Sequence, residues 1–478
     1  MVDVTKEEVN LIQPETIFWS IFTFMWIVYI WESYLSHRQK ETFERTKEVP
    51  EPLRDILDQE TFEKSRLYQL DKARFGFWHG VFGQTESTLI LLYGVIPWLW
   101  KFAGDITANF GYGSEYEIVQ SLVFILLSSV VSYVIDLPWS IYSTFVVEER
   151  HGFNKQTFGF FIKDQFKKQL VLFAILLPIV AVLIYIIQWG GQYFFIYAWV
   201  FAFVTSMLLV TIYADYIAPL FDKYTPLPEG ELRTSIEGLA ASIAFPLYKL
   251  YVVEGSKRSS HSNAYFYGFY KNKRIVLFDT LIEDYKPCVD EDKPKDKEED
   301  GEEEQQEDQQ ELLEKEEPSE KKEEKKMGCN NDEILAVLAH ELGHWKLGHN
   351  LKNIVISQVN LFLCFFLFAL LLQQKVLFEA FEFYDSQPTL IALLIIFQFV
   401  FSPYNELLSF CMTVLSRRFE FQADAFAKSL QKAEKLRTAL IKLHKDNLGF
   451  PVADWLYSAW HYSHPPLLER IGALDKTD

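Results

Sequence analysis

LVLFAILLPIVAVLIYII, residues Leu170 to Ile187, runs for 18 residues without a charge. At about 1.5 Å per residue it forms a helix nearly as long as the roughly 30 Å hydrocarbon core of a bilayer, so it is read as a membrane span. Six further runs meet the same standard, near 17–35, 81–100, 118–135, 193–213, 353–372 and 389–410. The expected fold class is therefore a predominantly α-helical polytopic membrane protein with seven transmembrane helices. Ahead of the first run stand Glu7, Glu8 and Glu15 with only Lys6 to oppose them. That is not the basic leader of a signal peptide, and no small-residue cleavage site follows, so the run is expected to stay as an anchor.

Composition agrees with this reading. Hydrophobic residues make up 49% of the chain and aromatic residues 16%, concentrated in those runs. The formal charge of −19 is largely local, because Lys286–Lys326 alone holds 19 acidic and 9 basic residues. So charged a stretch cannot bury a core, and 286–330 is expected to be a disordered loop: a solvated spacer, or an acidic interaction tail. Cys288, Cys329, Cys364 and Cys411 are too scattered for a disulfide framework or a metal pair, and are expected to be free thiols. No nucleic acid is expected as a partner; the bilayer is. Oligomeric state is not legible.

Positive residues collect in short cytosolic loops. Between the spans, 36–80 carries nine Lys and Arg, 101–117 one, 136–169 five, 188–192 none and 373–388 one. The alternation predicts a lumenal N-terminus, a cytosolic C-terminus and a cytosolic segment 214–352. Several spans also carry polar groups: Glu86, Gln120, Gln358, Asn360, Gln398, Asn405 and Glu406. Such groups face a watery cavity or bond between helices, and the residues alone do not choose. Within the large segment, Glu229–Ala244 reads as helix and Tyr248–Val253, Ala264–Phe269 and Arg274–Phe278 as strands with a turn at Lys271–Lys273, a small α+β unit.

The chemistry centres on Asn331–Asn350, NDEILAVLAHELGHWKLGHN. Apolar residues at helical spacing, with Asn331 or Asp332 as cap, predict a helix that places His340 and His344 on one face and Glu341 about 100° around it. Two histidines one turn apart with a glutamate beside them suit a catalytic zinc and its base. A catalytic zinc takes three protein ligands, and Glu420, 76 residues after His344, is the best third. Asp424 lies one turn later on the same apparent helix and can accept the far N–H of a ligand histidine. A surface pairing of Glu420 with Arg417 or Arg418 is the plainer alternative. His464 or His461 could donate to an oxyanion, and spacing does not separate them. His349 falls off the ligand face and is read as structural. Asn263, in the polar strand region 259–268, could bond a substrate carbonyl or simply satisfy a turn.

The segments SKRSSHSNAYFYG, KRIVLFDTL, EILAVLAHELGHWKLGH, SRRFEFQADAFA and HYSHPPLLER, with EKSRLYQLDKARF and TIYADYIAPLFDK, resemble the type I CAAX prenyl proteases, integral-membrane zinc metalloproteases, in an animal form. The resemblance covers nearly the whole chain except the acidic loop. It implies seven helices around an internal chamber and one zinc ion held by His340, His344 and Glu420. Glu341 would be catalytic, His464 preferred over His461 at the transition state, and Asn263 at the substrate. The substrates implied are prenylated, above all farnesylated, protein C-termini, losing the last three residues, with a second upstream cut in a-factor or prelamin A type precursors. The implied location is the endoplasmic reticulum and inner nuclear membrane. The domains expected are 1–213 with five spans, 214–352 as the first part of the protease domain, 353–410 with two spans, and 411–478 as its second part. Two other readings stand beside it: a general membrane-associated zinc protease that clears misfolded or stalled proteins, and a catalytically idle zinc-stabilised scaffold. Glu341, which a purely structural site does not need, argues against the last.

Overall fold

The computed structural model describes residues 13–268, 272–283, 285 and 327–476. Helices α1 (Pro14–Arg45), α2 (Gln59–Leu92), α3 (Val95–Asn109), α4 (Glu117–Tyr142), α5 (Phe158–Trp189) and α6 (Phe194–Ile212) fill the first half. Local signals set their starts. Pro14 opens α1 where a missing N–H does no harm, Asp58 accepts from Thr61 N ahead of α2, and Thr157 accepts from Phe160 N ahead of α5. The run Leu170–Ile187 lies inside α5. There Ile184 and Ile187 are buried while Leu170 and Tyr185 are 61% and 56% exposed. An apolar helix so open on one side is suited to lipid rather than water.

The second half holds α7 (Glu231–Ser242), α8 (Asn331–Lys346), α9 (His349–Leu371), α10 (Lys375–Glu379), α11 (Thr389–Leu394), α12 (Ser402–Ser429), α13 (Ala433–Asp446), α14 (Trp455–His461) and α15 (Leu467–Leu474). Among the described residues, five helical segments are long and apolar enough to cross a membrane unaided, and the number reaches seven if each of two bent pairs is one span. The bends add to the sequence reading, which gives 81–100 and 389–410 as spans without locating a break in either. α2 and α3 meet at 67°, broken at Gly94, whose φ of 56° suits a residue without a side chain. The other pair meets at 57°, where a π-helical turn (Ile395–Val400) gives way at Phe401 to α12, opened by Pro403.

Packing runs round a circuit. Neighbouring helices touch from α1 through α6, α6 meets α9, α9 meets the turn before α12, and α14 joins α12 back to α1.

The α+β unit is a four-stranded sheet in the order β1-β2-β4-β3, with β1 (Tyr224–Pro226), β2 (Leu247–Val253), β3 (Ala264–Tyr267) and β4 (Lys273–Phe278). β2 and β4 are parallel, and the outer strands are antiparallel to them. Central β4 buries Ile275, Val276 and Leu277 completely, as a strand covered on both faces should. β1 has no sequence signal; it is three residues long and ends in a proline, which only an edge strand tolerates. The proposed turn at 271–273 lies partly outside the described residues. So does the acidic loop up to 326, but Met327–Asn330 is ordered, which corrects that loop's far limit: Cys329 N–H donates to Leu281 O at 2.8 Å, and its carbonyl accepts from Glu283 N. Cys329, Cys364 and Cys411 are free thiols.

Arg258 ties the sheet unit to the bundle. Its Nη1 reaches Asp164 Oδ2 of α5 at 2.6 Å, its Nε reaches Asp222 at 2.8 Å, and its Nη2 reaches the Phe221 carbonyl at 2.6 Å. Lys168 Nζ stays at 3.0 Å from Asp164, so the carboxylate keeps one partner, and Arg258→Ala, which removes charge-assisted hydrogen bonds, should remove about 2 kcal/mol of stability. The expected result is a lower apparent unfolding temperature in detergent; an unchanged one would refute the anchor.

Candidate active site

α8 starts one residue earlier than the sequence suggested. Asn330, not Asn331 or Asp332, is the cap: its side chain accepts from Glu333 N at 3.0 Å while Glu333 accepts from Asn330 N at 2.9 Å. This capping box fixes the helix register, and with it the face that His340 and His344 share. Their Nε2 atoms lie 3.2 Å apart.

α12 crosses α8 closely because position 343 is glycine. A Cβ there would stand 3.1 Å from Phe426 Cδ1 and 3.3 Å from Ala423 Cα. The approach brings Glu420 over the histidines, its Oε2 at 3.3 Å from His340 Nε2 and its Oε1 at 3.3 Å from His344 Nε2. Asp424, one turn on, accepts from His340 Nδ1 at 2.8 Å. Both carboxylates are buried. The alternative, a pairing of Glu420 with Arg417 or Arg418, does not form; Arg417 bonds Ser458 and Glu469 instead.

Two residues behind the site escaped the sequence reading. Buried Arg470 grips Asp424 with Nε at 2.9 Å and Nη2 at 2.7 Å, and its Nη1 stands 3.6 Å from Glu420 Oε2. An arginine six residues after His464 carries no periodic signal of burial. His349, set aside as off the ligand face, bonds His344 Nδ1 through its own Nδ1 at 3.0 Å and Gln422 Oε1 through Nε2 at 3.0 Å. A helical face count fails there because a new helix begins at His349.

These partners set the tautomers. Asp424 takes the Nδ1 proton of His340 and leaves Nε2 with its lone pair. The Gln422 carbonyl takes the Nε2 proton of His349, whose Nδ1 can then accept from His344 Nδ1, so His344 also presents a bare Nε2. Two lone pairs and a carboxylate therefore converge on one point. With protons as the only cations, burial opposes charge on His340, yet Asp424 and Glu420 outweigh it and raise its pKa to about 9. Burial likewise opposes charge on Glu420, but the two histidines hold its carboxyl far below the usual range. Glu420 Oε2 is buried without a hydrogen-bond partner among the described residues. Such a cluster calls for a cation. A tetrahedral ion with bonds of about 2.0–2.1 Å spaces its donors about 3.3 Å apart, which the two Nε2 atoms match, and Glu420 offers one oxygen at 3.3 Å to each of them. His340, His344 and Glu420 could hold a metal ion.

Glu341 is half-buried beside the cluster; burial, with Glu420 adding to it, pushes its carboxyl up. His464 Nε2 lies 3.4 Å from Glu420 Oε1, with its side chain 67% exposed. His461 points away, bonding Glu32 at 3.0 Å, so geometry separates the two candidates. Asn263 is exposed. Its side-chain oxygen accepts from Ala264 N at 2.8 Å, satisfying the turn into β3, the edge strand that packs on α8.

Site and fold together define a class: a metallopeptidase whose centre is carried on a membrane helix bundle. Residues 226–478 match the model of peptidase family M48, and residues 39–223 match that of the CAAX prenyl protease N-terminal region with five membrane helices. The human CAAX prenyl protease 1 homolog is 64% identical over 96% of this chain and 95% of its own length. CAAX prenyl protease 1 of Saccharomyces cerevisiae is 36% identical over 93% and 92%. The crystal structure of S. mikatae Ste24p superposes with a TM-score of 0.80 at 37% identity, covering 96% of this chain and 98% of that one. The chain belongs to peptidase family M48, in its CAAX prenyl protease branch, and is a multi-pass membrane metallopeptidase.

Two outcomes follow for metal binding, each measured as metal per chain. Asp424→Asn weakens affinity about 10- to 100-fold, since a group that orients a ligand histidine is worth that much. Gly343→Leu forces α8 and α12 apart and lowers occupancy while helical circular dichroism holds; full occupancy would show that the crossing tolerates a side chain.

Proposed function

We propose that this chain is a zinc-dependent endopeptidase that removes the last three residues from farnesylated CaaX C-termini. The observation that carries the reading is the convergence of His340, His344 and Glu420 beside Glu341, with the two Nε2 atoms 3.2 Å apart and a different Glu420 oxygen 3.3 Å from each. Zinc suits two imidazoles and a carboxylate with a fourth position open, and when bound it polarises a carbonyl and acidifies water. Glu341 takes a proton from the attacking water as oxygen bonds to the scissile carbonyl carbon, and delivers it to the amine nitrogen as the C–N bond breaks. His464, on the exposed side of Glu420, donates to the oxyanion. The substrate backbone lies along the free edge of β3, with the Asn263 amide N–H as donor to a substrate carbonyl.

The helix circuit encloses a chamber. In keeping with polar surface along the spans, a groove of about 420 Å³ between α4 and α5 is lined by Ser128, Ser132, Tyr133, Asp136, Gln165 and Gln169. A chamber gives a lipidated peptide an apolar wall and water together. The protein resides in the endoplasmic reticulum membrane, with a lumenal N-terminus and the metal site facing the cytosol. The two Lys- and Arg-rich loops support that orientation, because both pack against the protease domain: Phe43, Leu53 and Phe62 share a core with Ile441 and Ile471, and Glu148 lies 3.6 Å from His261.

Glu341→Ala should keep its zinc and lose about 10²- to 10⁴-fold in kcat. Zinc content and cleavage measured on one preparation decide this, and an active variant would sink the mechanism. For substrate class, matched CaaX peptides with and without farnesyl are the test. The farnesylated peptide should turn over far faster; equal rates would favour a general membrane protease.

A further inference from the structure

The exposure of His464 raises the question of what holds it over the metal site. With two-thirds of its side chain open and, among the described residues, only Glu420 Oε1 at 3.4 Å from its Nε2 and Ser463 Oγ at 3.2 Å from its Nδ1, packing does not place it. Placement must come from the backbone at each end of the segment 462–466. On the far side Arg470 is locked to Asp424, and Pro465 and Pro466 restrict the chain between.

On the near side the lock comes from the first membrane helix. Glu32 of α1 uses both carboxylate oxygens on consecutive residues at the end of α14: Trp460 Nε1 donates to Oε1 at 2.9 Å and His461 Nε2 to Oε2 at 3.0 Å. The Trp460 ring is held edge-on by Trp31 of α1 at 5.6 Å and stacked by Phe410 of α12 at 5.0 Å. Two turns along α1, Arg38 grips both oxygens of Asp454, the cap of α14, at 3.0 and 2.8 Å, and Gln39 accepts from Asp454 N at 2.8 Å. The whole of α14 is therefore clamped lengthwise to α1, and His464 lies three residues beyond the clamp. Glu32 falls within the apolar stretch 17–35, where a carboxylate is retained at a cost and so marks a role.

We infer that Glu32, on the first membrane helix, is a positioning residue that acts through Trp460 and His461 to hold His464 at the metal site. The inference rests on the role of His464 in the proposed peptidase. It makes α1, most of which precedes both family-matched regions, a working part of the site.

The test is a double-mutant cycle on the full-length enzyme with a farnesylated CaaX peptide, reading kcat, KM, zinc content and unfolding temperature. Glu32→Ala and Trp460→Phe are each made in the parent and in His464→Ala. Misplacing a catalytic donor by about 1 Å can cost on the order of a hundredfold, so Glu32→Ala should lower kcat about 10- to 100-fold, with KM and zinc content near the parent's. Trp460→Phe should fall in the same direction. Glu32→Gln, which still accepts from Trp460, should fall less, and carries the test if Glu32→Ala does not fold. In the His464→Ala background none of these changes should lower kcat further. Equal proportional losses in both backgrounds would overturn the inference and leave the peptidase reading intact. A His464→Ala enzyme as fast as the parent would overturn the role of His464, and the inference with it.

Discussion

The close crossing of α8 and α12 at Gly343 is the constraint on which the site depends. Hydrogen in place of a side chain lets the backbones approach until Glu420 and Asp424 reach His340 and His344. Residues 76 positions apart in sequence thereby become one donor set. Around that crossing the packing is apolar: Ile334, Leu338 and Leu342 of α8 share a core with Val252, Ile275 and Leu277 of the sheet. The helix that carries the histidines is thus held on one side by the sheet and on the other by α12 and α13.

Charge buried in such a place must be matched, and the match is built from behind. Arg470 neutralises Asp424, Asp424 fixes His340, and Gln422 with His349 does the same for His344 without adding charge. Each outer partner removes a proton-bearing nitrogen from the centre, so what faces inward is uniformly basic. That is why the cluster demands a cation. The same economy appears where the protease unit meets the membrane bundle. Arg258 on Asp164 and Asp222, and Glu32 on Trp460 and His461, join elements far apart in sequence through paired, fully used hydrogen-bonding groups.

The membrane helices do more than anchor. They close a circuit in which α14 returns the chain to α1, and the two bends at Gly94 and Phe401 turn long apolar runs away from straight crossings. A straight bundle of seven rods would pack through its middle. The bend at Phe401 instead carries α12 to the metal site, where it delivers Glu420 and Asp424.

Much was legible in the sequence because it depends on near neighbours. Apolar runs of bilayer length gave seven spans, helical spacing put His340 and His344 on one face, and the four-residue step linked Glu420 to Asp424. Short-range signals failed where a residue's meaning lies in distant contacts. Arg470 looks like a surface charge until its partner Asp424 is placed, and His349 loses its face when the helix ends. β1, with three residues and a proline, has no pattern of its own, and Glu32 resembles any carboxylate near the end of a span. The choice between His461 and His464 could not be made from spacing, since both sit in one short segment. Periodicity, in sum, records which residues share a face, and that is what the sequence determined by itself: the class of fold, the metal-binding helix and its donor types. The tertiary structure alone decided which face meets which, because a close crossing, a buried ion pair and a clamp between α1 and α14 are set by packing between segments, which no local pattern encodes.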